Sequence, residues 1–293
     1  MTTLAPPPPA PATPPPPLSP GGRTAVRAAL IVAAAVLVVG AVVSLGGIAM
    51  GISSFRVITD SKALPSTMRS LVIDTGSVPI AVRITTESEA GEPRADLRMV
   101  NSTRASANPL AVNTDRAEAR VTINGEPSSF LQWGRGGEIT VVLPPDVARR
   151  LTVTTQQENG VVLAQADLDQ LIARTDNGAV VLSGSARRIE VYTENGEVVT
   201  RDPISVTDSF SATTSNGEIV VDFSEAAPRT VDVTSDNGDV VVGLPTRGPY
   251  VVNASTDNGD TVVRVPQATT REKAAAVITA RSDNGDVVID ELD

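Results

Sequence analysis

The sequence predicts an all-β fold: a β-solenoid of the single-stranded β-helix kind, carried as a repeat ectodomain behind one N-terminal transmembrane α-helix. Three observations predict it. A phrase ending in Asn-Gly recurs seven times, apolar residues alternate at period two before each copy, and one long uncharged apolar run lies near the N-terminus.

In chain order, residues 1–22 hold ten prolines, including Pro6 to Pro9 and Pro14 to Pro17. Proline cannot donate a backbone hydrogen bond, so this tail is predicted to be disordered or polyproline II. Residues 23–56 form the membrane element and its flanks. No residue from Ala28 to Phe55 is charged, and residues 28–52 are dominated by Ala, Val, Leu, Ile and Gly. About 20 apolar residues cross a bilayer as a helix, whereas a cleaved signal peptide has an apolar region of roughly 7 to 15. The expectation is an uncleaved, single-pass signal anchor in the cell membrane. Arg23 and Arg27 on one side face Arg56, Lys62 and Arg69 on the other, so the positive-inside count leaves orientation open. A cytoplasmic N-terminus and an extracytoplasmic C-terminal domain is the usual arrangement for a lone helix preceding one large soluble domain.

Composition narrows what that domain does. It has no cysteine and no histidine, which excludes disulfides, thiol chemistry and histidine-based catalysis or metal ligation. The net charge is −10, and with only Arg23, Arg27 and Arg56 charged before residue 57, residues 57–293 carry −13. So acidic a surface repels phosphate backbones, and nucleic acid is excluded as a partner. Aromatics are 2 % of the chain, so the core rests on aliphatic, largely β-branched side chains that suit pleated sheets.

Residues 151–293 hold the repeat. Its turns are Asn159-Gly160, Asn177-Gly178, Asn195-Gly196, Asn216-Gly217, Asn237-Gly238, Asn258-Gly259 and Asn284-Gly285, spaced 18, 18, 21, 21, 21 and 26 residues apart. Seven residues before each glycine stand Val153, Leu171, Ile189, Phe210, Val231, Val252 and Ile278, all apolar. Five before stand Thr155, Ala173, Val191, Ala212, Val233, Ala254 and Ala280, and three before stand Gln157, Thr175, Thr193, Thr214, Ser235, Thr256 and Ser282. This is a strand with one buried face. After the turn a second strand carries Leu163, Val181, Val199, Val220, Val241, Val262 and Val288 three residues past each glycine. Its neighbours are also mainly aliphatic, so pattern alone does not say which face points inward. A meander of hairpins would need only some turn former at each tip. Identical residues within columns instead favour stacked rungs, with Asn ladders and like side chains in contact. Seven rungs about 4.8 Å apart reach about 34 Å.

Residues 57–150 are less regular. Strands are expected at Leu71 to Thr75, Val78 to Ile84, Ala117 to Ile123 and Glu138 to Leu143, forming divergent first rungs that cap the array. Asn124-Gly125 is out of phase and reads as an ordinary turn. At the other end, Asp290, Glu291 and Asp293 are expected to put charge on the last exposed edge, where it discourages aggregation.

The run Leu151-Thr-Val-Thr-Thr followed by repeated Asn-Gly-(Asp/Glu)-Val-Val phrases resembles the bacterial putative-adhesin domain family of β-strand repeat proteins, a domain of unknown function. The resemblance covers roughly residues 70–289. It implies a β-repeat fold and an envelope location, and it brings no catalytic residues.

Signals that suggest chemistry are few. Asp74-Thr-Gly-Ser77 matches an aspartic-protease turn, but such enzymes need two carboxylates sharing a proton and no second copy exists. Asp74 and Gly76 also fall where the repeat places its acid and its glycine. Leu244-Pro-Thr-Arg-Gly248 transposes a sortase signal and reads as a loop between rungs, and Trp133 reads as a capping residue. Acids flank the turns, and the aspartate pairs Asp236 and Asp239, Asp257 and Asp260, and Asp283 and Asp286 are the candidate calcium ladder. The bland alternative is a solvated acidic stripe. The resulting expectation is a non-enzymatic protein without cofactor: a membrane-anchored, adhesin-like binding or scaffold module of the envelope, with a protein or cell-wall partner on a sheet face. The alternatives are an envelope-stress sensor signalling through helix and tail, and a polysaccharide enzyme, which the short returns between rungs disfavour.

Overall fold

The computed structural model describes residues 55–102, 108–124 and 137–292. The Pro-rich tail, the apolar segment 28–52, Trp133, Gly125 and Asp293 lie outside the described residues. Among the described residues no helix is long and apolar enough to cross a membrane.

The described chain is nearly all β. Its N-terminal part comprises β1 (Phe55–Ala63), β2 (Ser70–Gly76), β3 (Ile80–Thr86), β4 (Arg94–Ser102), β5 (Leu110–Asp115), β6 (Glu118–Ile123) and β7 (Gly137–Leu143), then one helical turn, α1 (Pro145–Ala148). The repeat region follows as β8 (Thr152–Asn195), β9 (Val198–Thr200), β10 (Ser205–Asn216), β11 (Ile219–Asp222), β12 (Thr230–Asn237), β13 (Val240–Pro245), β14 (Tyr250–Asn258), β15 (Thr261–Arg264), β16 (Ala276–Asn284) and β17 (Val287–Leu292). The 44-residue β8 is continuous because its main chain stays paired through more than two copies.

Copies lie parallel and in register, so each side chain meets its counterpart one layer away. Ile189 pairs with Phe210, Phe210 with Val231, Val231 with Ile278, and Ile278 with Val252. Past the turns, Val198 pairs with Ile219, Ile219 with Val240, and Val240 with Val287. The first strands turn the expected columns inward: Val153, Leu171, Phe210, Val231 and Ile278, with Ala173, Val191, Ala212, Val233 and Ala280, are at most 1 % exposed. In the second strands the inward residues stand two and four past each glycine, as with Ile219 and Val221, Val240 and Val242, and Val287 and Ile289. Leu163, Val220, Val241, Val262 and Val288 therefore point outward and are half-buried. That settles the face which pattern alone left open.

The order of layers departs from the order of the sequence at both ends. The last copy, β16 and β17, lies between β12/β13 and β14/β15 rather than at the end. This corrects the expectation that Asp290 and Glu291 line the last exposed edge. Asp290 pairs with Gly243 on one side and Arg264 on the other, and the true edge is β14/β15. The connection after β15, residues 265–275, is long enough to return over one layer. Burial supplies the reason: the copy with Ile278, Ala280, Val287 and Ile289 inward gains two neighbours and is at most 0 % exposed at those four positions. The edge copy carries Thr261 where every other copy has Val or Ile two past the glycine. A hydroxyl tolerates the open end at lower cost than a buried site.

At the N-terminal end β2/β3 form one layer against β8, with Leu71 opposite Val153 and Val82 opposite Val162. β6/β7 form the next, again parallel. β5, β4 and β1 are not rungs at all: β5 pairs antiparallel with β6, β4 with β7, and β1 with β4. The Asp60 carboxylate accepts the Leu110 N–H at 3.1 Å, tying β1 to β5 across this end. Antiparallel strands block further parallel stacking there.

The interposed last copy makes a testable demand. Ending the chain after Val265 removes the strands paired with β14 and β15 among the described residues, and the Gln267 bridge to Tyr250, so hydrogen-exchange protection of residues 250–264 should fall to that of an unstructured segment while β12 stays protected. Retained protection in 250–264 would refute the layer order.

Candidate functional site

The turn edge is built on close approach. A Cβ placed on Gly178 would lie 1.7 Å from the Gly160 carbonyl oxygen, and one on Gly196 would lie 1.7 Å from that of Gly178. The same clash recurs at Gly217, Gly238, Gly285 and Gly259, each against the glycine carbonyl one layer back, at 1.9 to 2.3 Å. Gly160 meets the Ile80 carbonyl at 2.2 Å, where the array joins β3. Glycine is thus required by proximity to a neighbouring backbone rather than by turn geometry alone.

Asparagines form a ladder beside them. Asn195 donates its side-chain amide to Asn177 at 3.2 Å, Asn216 to Asn195 at 2.9 Å, Asn237 to Asn216 at 3.1 Å, Asn284 to Asn237 at 3.0 Å, and Asn258 to Asn284 at 3.0 Å. Asn177 instead donates to the Glu158 carbonyl at 3.4 Å, so Asn159 stands outside the ladder. Inside the turn the hydroxyls of Thr214, Ser235, Ser282 and Thr256 donate to the glycine carbonyl of the layer behind, at 2.7 to 3.1 Å. From Thr214 onward this column is therefore a second seam, which the sequence pattern marked only as polar, whereas the buried hydroxyls of Thr175 and Thr193 make no hydrogen bond.

The acids flank this edge in two columns whose spatial order is Asp236, Asp283, Asp257 and Asp239, Asp286, Asp260. In the second column Asp239 accepts the Asp286 N–H and Asp286 accepts the Asp260 N–H, both at 2.9 Å. In the first, Arg281 reaches Asp283 at 2.9 Å and Asp257 at 3.6 Å. Backbone donors and one guanidinium thus meet these carboxylates along the candidate calcium ladder. Among the described residues no group of three or more acidic side chains is disposed to hold a metal ion. Glu197, earlier in the second column, has its carboxyl pushed above its ordinary range by burial, and burial does the same to Asp222 beneath Gly243.

Two outer faces remain. On the second sheet the column Leu163, Val181, Val199, Val220, Val241, Val288, Val262 runs unbroken, with Glu197, Glu218, Asp239, Asp286 and Asp260 on its turn side. Arg83, held by Glu138 at 2.6 Å and Gln165 at 2.9 Å, ends the apolar line at β3. On the first sheet the exposed Tyr192 lies under the Arg174 guanidinium at 5.3 Å, and Arg187 bridges Asp169 and Asp208 at 2.8 and 3.1 Å. Arg174 and Arg187 carry no sequence signal because their partners lie 18 or more residues away in adjoining layers.

The remaining sequence signals have structural explanations. Asp74 accepts the Gly76 N–H at 3.1 Å and faces Arg120 at 3.6 Å, which is a turn held by a short polar side chain. Leu244 and Pro245 are buried in β13, and the fully buried Tyr250 donates its hydroxyl to the Pro245 carbonyl.

No protein-family model matches the chain, and no curated protein matches it. Among solved structures it is similar to a putative adhesin from Parabacteroides merdae at 12 % identity, covering 83 % of this chain and 98 % of that one, with a TM-score of 0.47. A putative adhesin from Parabacteroides distasonis is similar at 10 % identity over 81 % of this chain and 97 % of that one, TM-score 0.46. A putative lipid binding protein from the same organism is similar at 10 % identity over 83 % and 98 %, TM-score 0.38. At such scores the likeness carries no argument, and the reading below rests on this chain's own geometry.

Two variants probe the turn edge. Gly196→Ala should cost about 3 kcal/mol or more, read by denaturant titration, because two packed backbones must separate. A loss under about 1 kcal/mol would show that the layers are not in contact there. Glu197→Gln tests the burial of the acid. Since the folded carboxyl titrates higher than the unfolded one, ionisation drains stability as pH rises from the ordinary glutamate range, and no penalty exists below it. The Gln variant should therefore melt about 1–2 °C higher at pH 7 and match the parent at pH 3. Equal melting at both pH values would place that carboxylate in water.

Proposed function

We propose that the chain is a membrane-anchored, extracytoplasmic binding or scaffold module of the bacterial envelope, with no catalytic role, in which the stacked copies form a β-solenoid. Residues 28–52 would hold it in the membrane with the N-terminus cytoplasmic. The observation that carries the binding role is the outer face of the second sheet. A column of seven aliphatic side chains lies on a rigid parallel ladder, bordered by carboxylates. Val181 and Val199 are buried and the other five are half-buried, so the column offers a narrow apolar line of fixed spacing running through Val220, Val241, Val288 and Val262, suited to an extended partner that presents alternating apolar and basic groups. Of the acids beside it, Asp239 and Asp286 each accept a backbone N–H from the adjoining layer, which supports recognition over chemistry.

The test is photo-crosslinking of the full chain on intact cells from a reactive side chain placed at Val220 or Val241, with Thr213 on the opposite sheet as control. Adducts to an envelope component from 220 and 241 but not from 213 are expected. Adducts from none of these positions, or protection of residues 57–293 from protease added outside the cell, would refute the reading.

A further inference from the structure

The two ends of the stack are not equivalent. At the N-terminal end antiparallel β4, β5 and β1 terminate the layers. At the other, among the described residues, β14 pairs with β16 and is bridged on its outer side only at Tyr250, by Gln267, while β15 pairs with β17. Val252, Ala254 and Val263 pack on the core there yet stay half-exposed, whereas Ile278, Ala280 and Ile289 in the adjoining layer are fully buried. Tyr250 turns its own N–H and C=O outward, to Pro266 at 2.8 Å and Ala268 at 2.7 Å. By strand alternation Val252 and Ala254 turn theirs the same way, with nothing opposite them. β14 carries one charge in nine residues, Asp257, so little on it opposes pairing.

Charge around this edge is polarised along the strand. At the turn end stand the exposed Asp257 and Asp260. At the starting end stand the exposed Arg247, Arg271 and Lys273, in the loops before β14 and before β16, which keep a net positive charge with Glu272 counted; none of the three cations has an ion-pair partner among the described residues. We propose that a second copy of this chain completes the edge, with β14 pairing antiparallel to its counterpart about a two-fold axis at Ala254. This arrangement lays the acidic turn of each copy against the basic loops of the other, twice by symmetry. It sets Val252 opposite the partner's Thr256 and continues the core across the junction. The contact is isologous, the same strand serving both copies, so this edge is used up at two copies.

The full chain in detergent micelles tests this by sedimentation and by cross-linking. The protein has no cysteine, so Ala254→Cys introduces one thiol whose partner's Cα would lie about 5.5 Å away, within disulfide reach. Mild oxidation should give a covalent dimer, while Thr213→Cys, central and outward on β10, should not. Arg271→Glu with Lys273→Glu, and separately Asp257→Arg with Asp260→Arg, should each weaken dimerisation about tenfold or more, and an equal mixture of the two variants should restore it. A parent chain that sediments as a monomer, a missing Ala254→Cys cross-link, or a mixture that stays monomeric overturns the proposal. Unchanged circular dichroism in each variant shows that the readout is association rather than folding.

Discussion

The contact on which the rest depends is between the turn backbones of successive layers. Each repeat glycine sits where any side-chain carbon would strike the carbonyl behind it. That approach sets the asparagine amides within hydrogen-bonding distance of one another, and brings the hydroxyls of Thr214, Ser235, Ser282 and Thr256 onto the same carbonyls. Register follows from it. A copy displaced by one residue would lose the glycine, the amide and the hydroxyl seams together and would turn its apolar column to solvent. The core needs little further specification, which is how a protein with so few aromatic residues manages with Val, Ile and Ala.

Such a seam is indifferent to chain order, because any copy fits against any other. The last copy exploits this by entering between the fifth and sixth. What decides the arrangement is the difference in burial between copies. The copy with Thr261 two past its glycine goes to the edge, and the one with Val287 there goes inside. The same logic holds at the start, where β2/β3 lie between β6/β7 and β8. An interposed layer ties distant parts of the chain together, since its removal strands the layer beyond it.

The acids show how a charged repeat tolerates its own periodicity. Like charges one layer apart repel, and the stack answers with backbone N–H donors in one column and Arg281 in the other. Arg187 between Asp169 and Asp208 does the same on the first sheet. These are local accommodations at exposed positions, each worth little singly. Their effect is to leave the outer faces regular, and regularity at fixed spacing is what a binding surface for an extended partner requires.

The sequence by itself determined the strand pattern, the two inward columns of the first strand, the turn residues from Asn159-Gly160 to Asn284-Gly285, and the in-register contact of like residues. Those are consequences of side-chain period and of glycine's missing Cβ, and both are local. The sequence even held the clue to the edge, in Thr261, but a single polar exception carries no direction until neighbours are known. Only the tertiary structure decided which layer adjoins which, which face of the second strand is buried, and that β1, β4 and β5 run antiparallel at one end. The physical reason is that copies of one motif pair with one another almost equally well. Their order is settled by small differences in burial summed over whole layers, and such sums exist only once the layers are assembled.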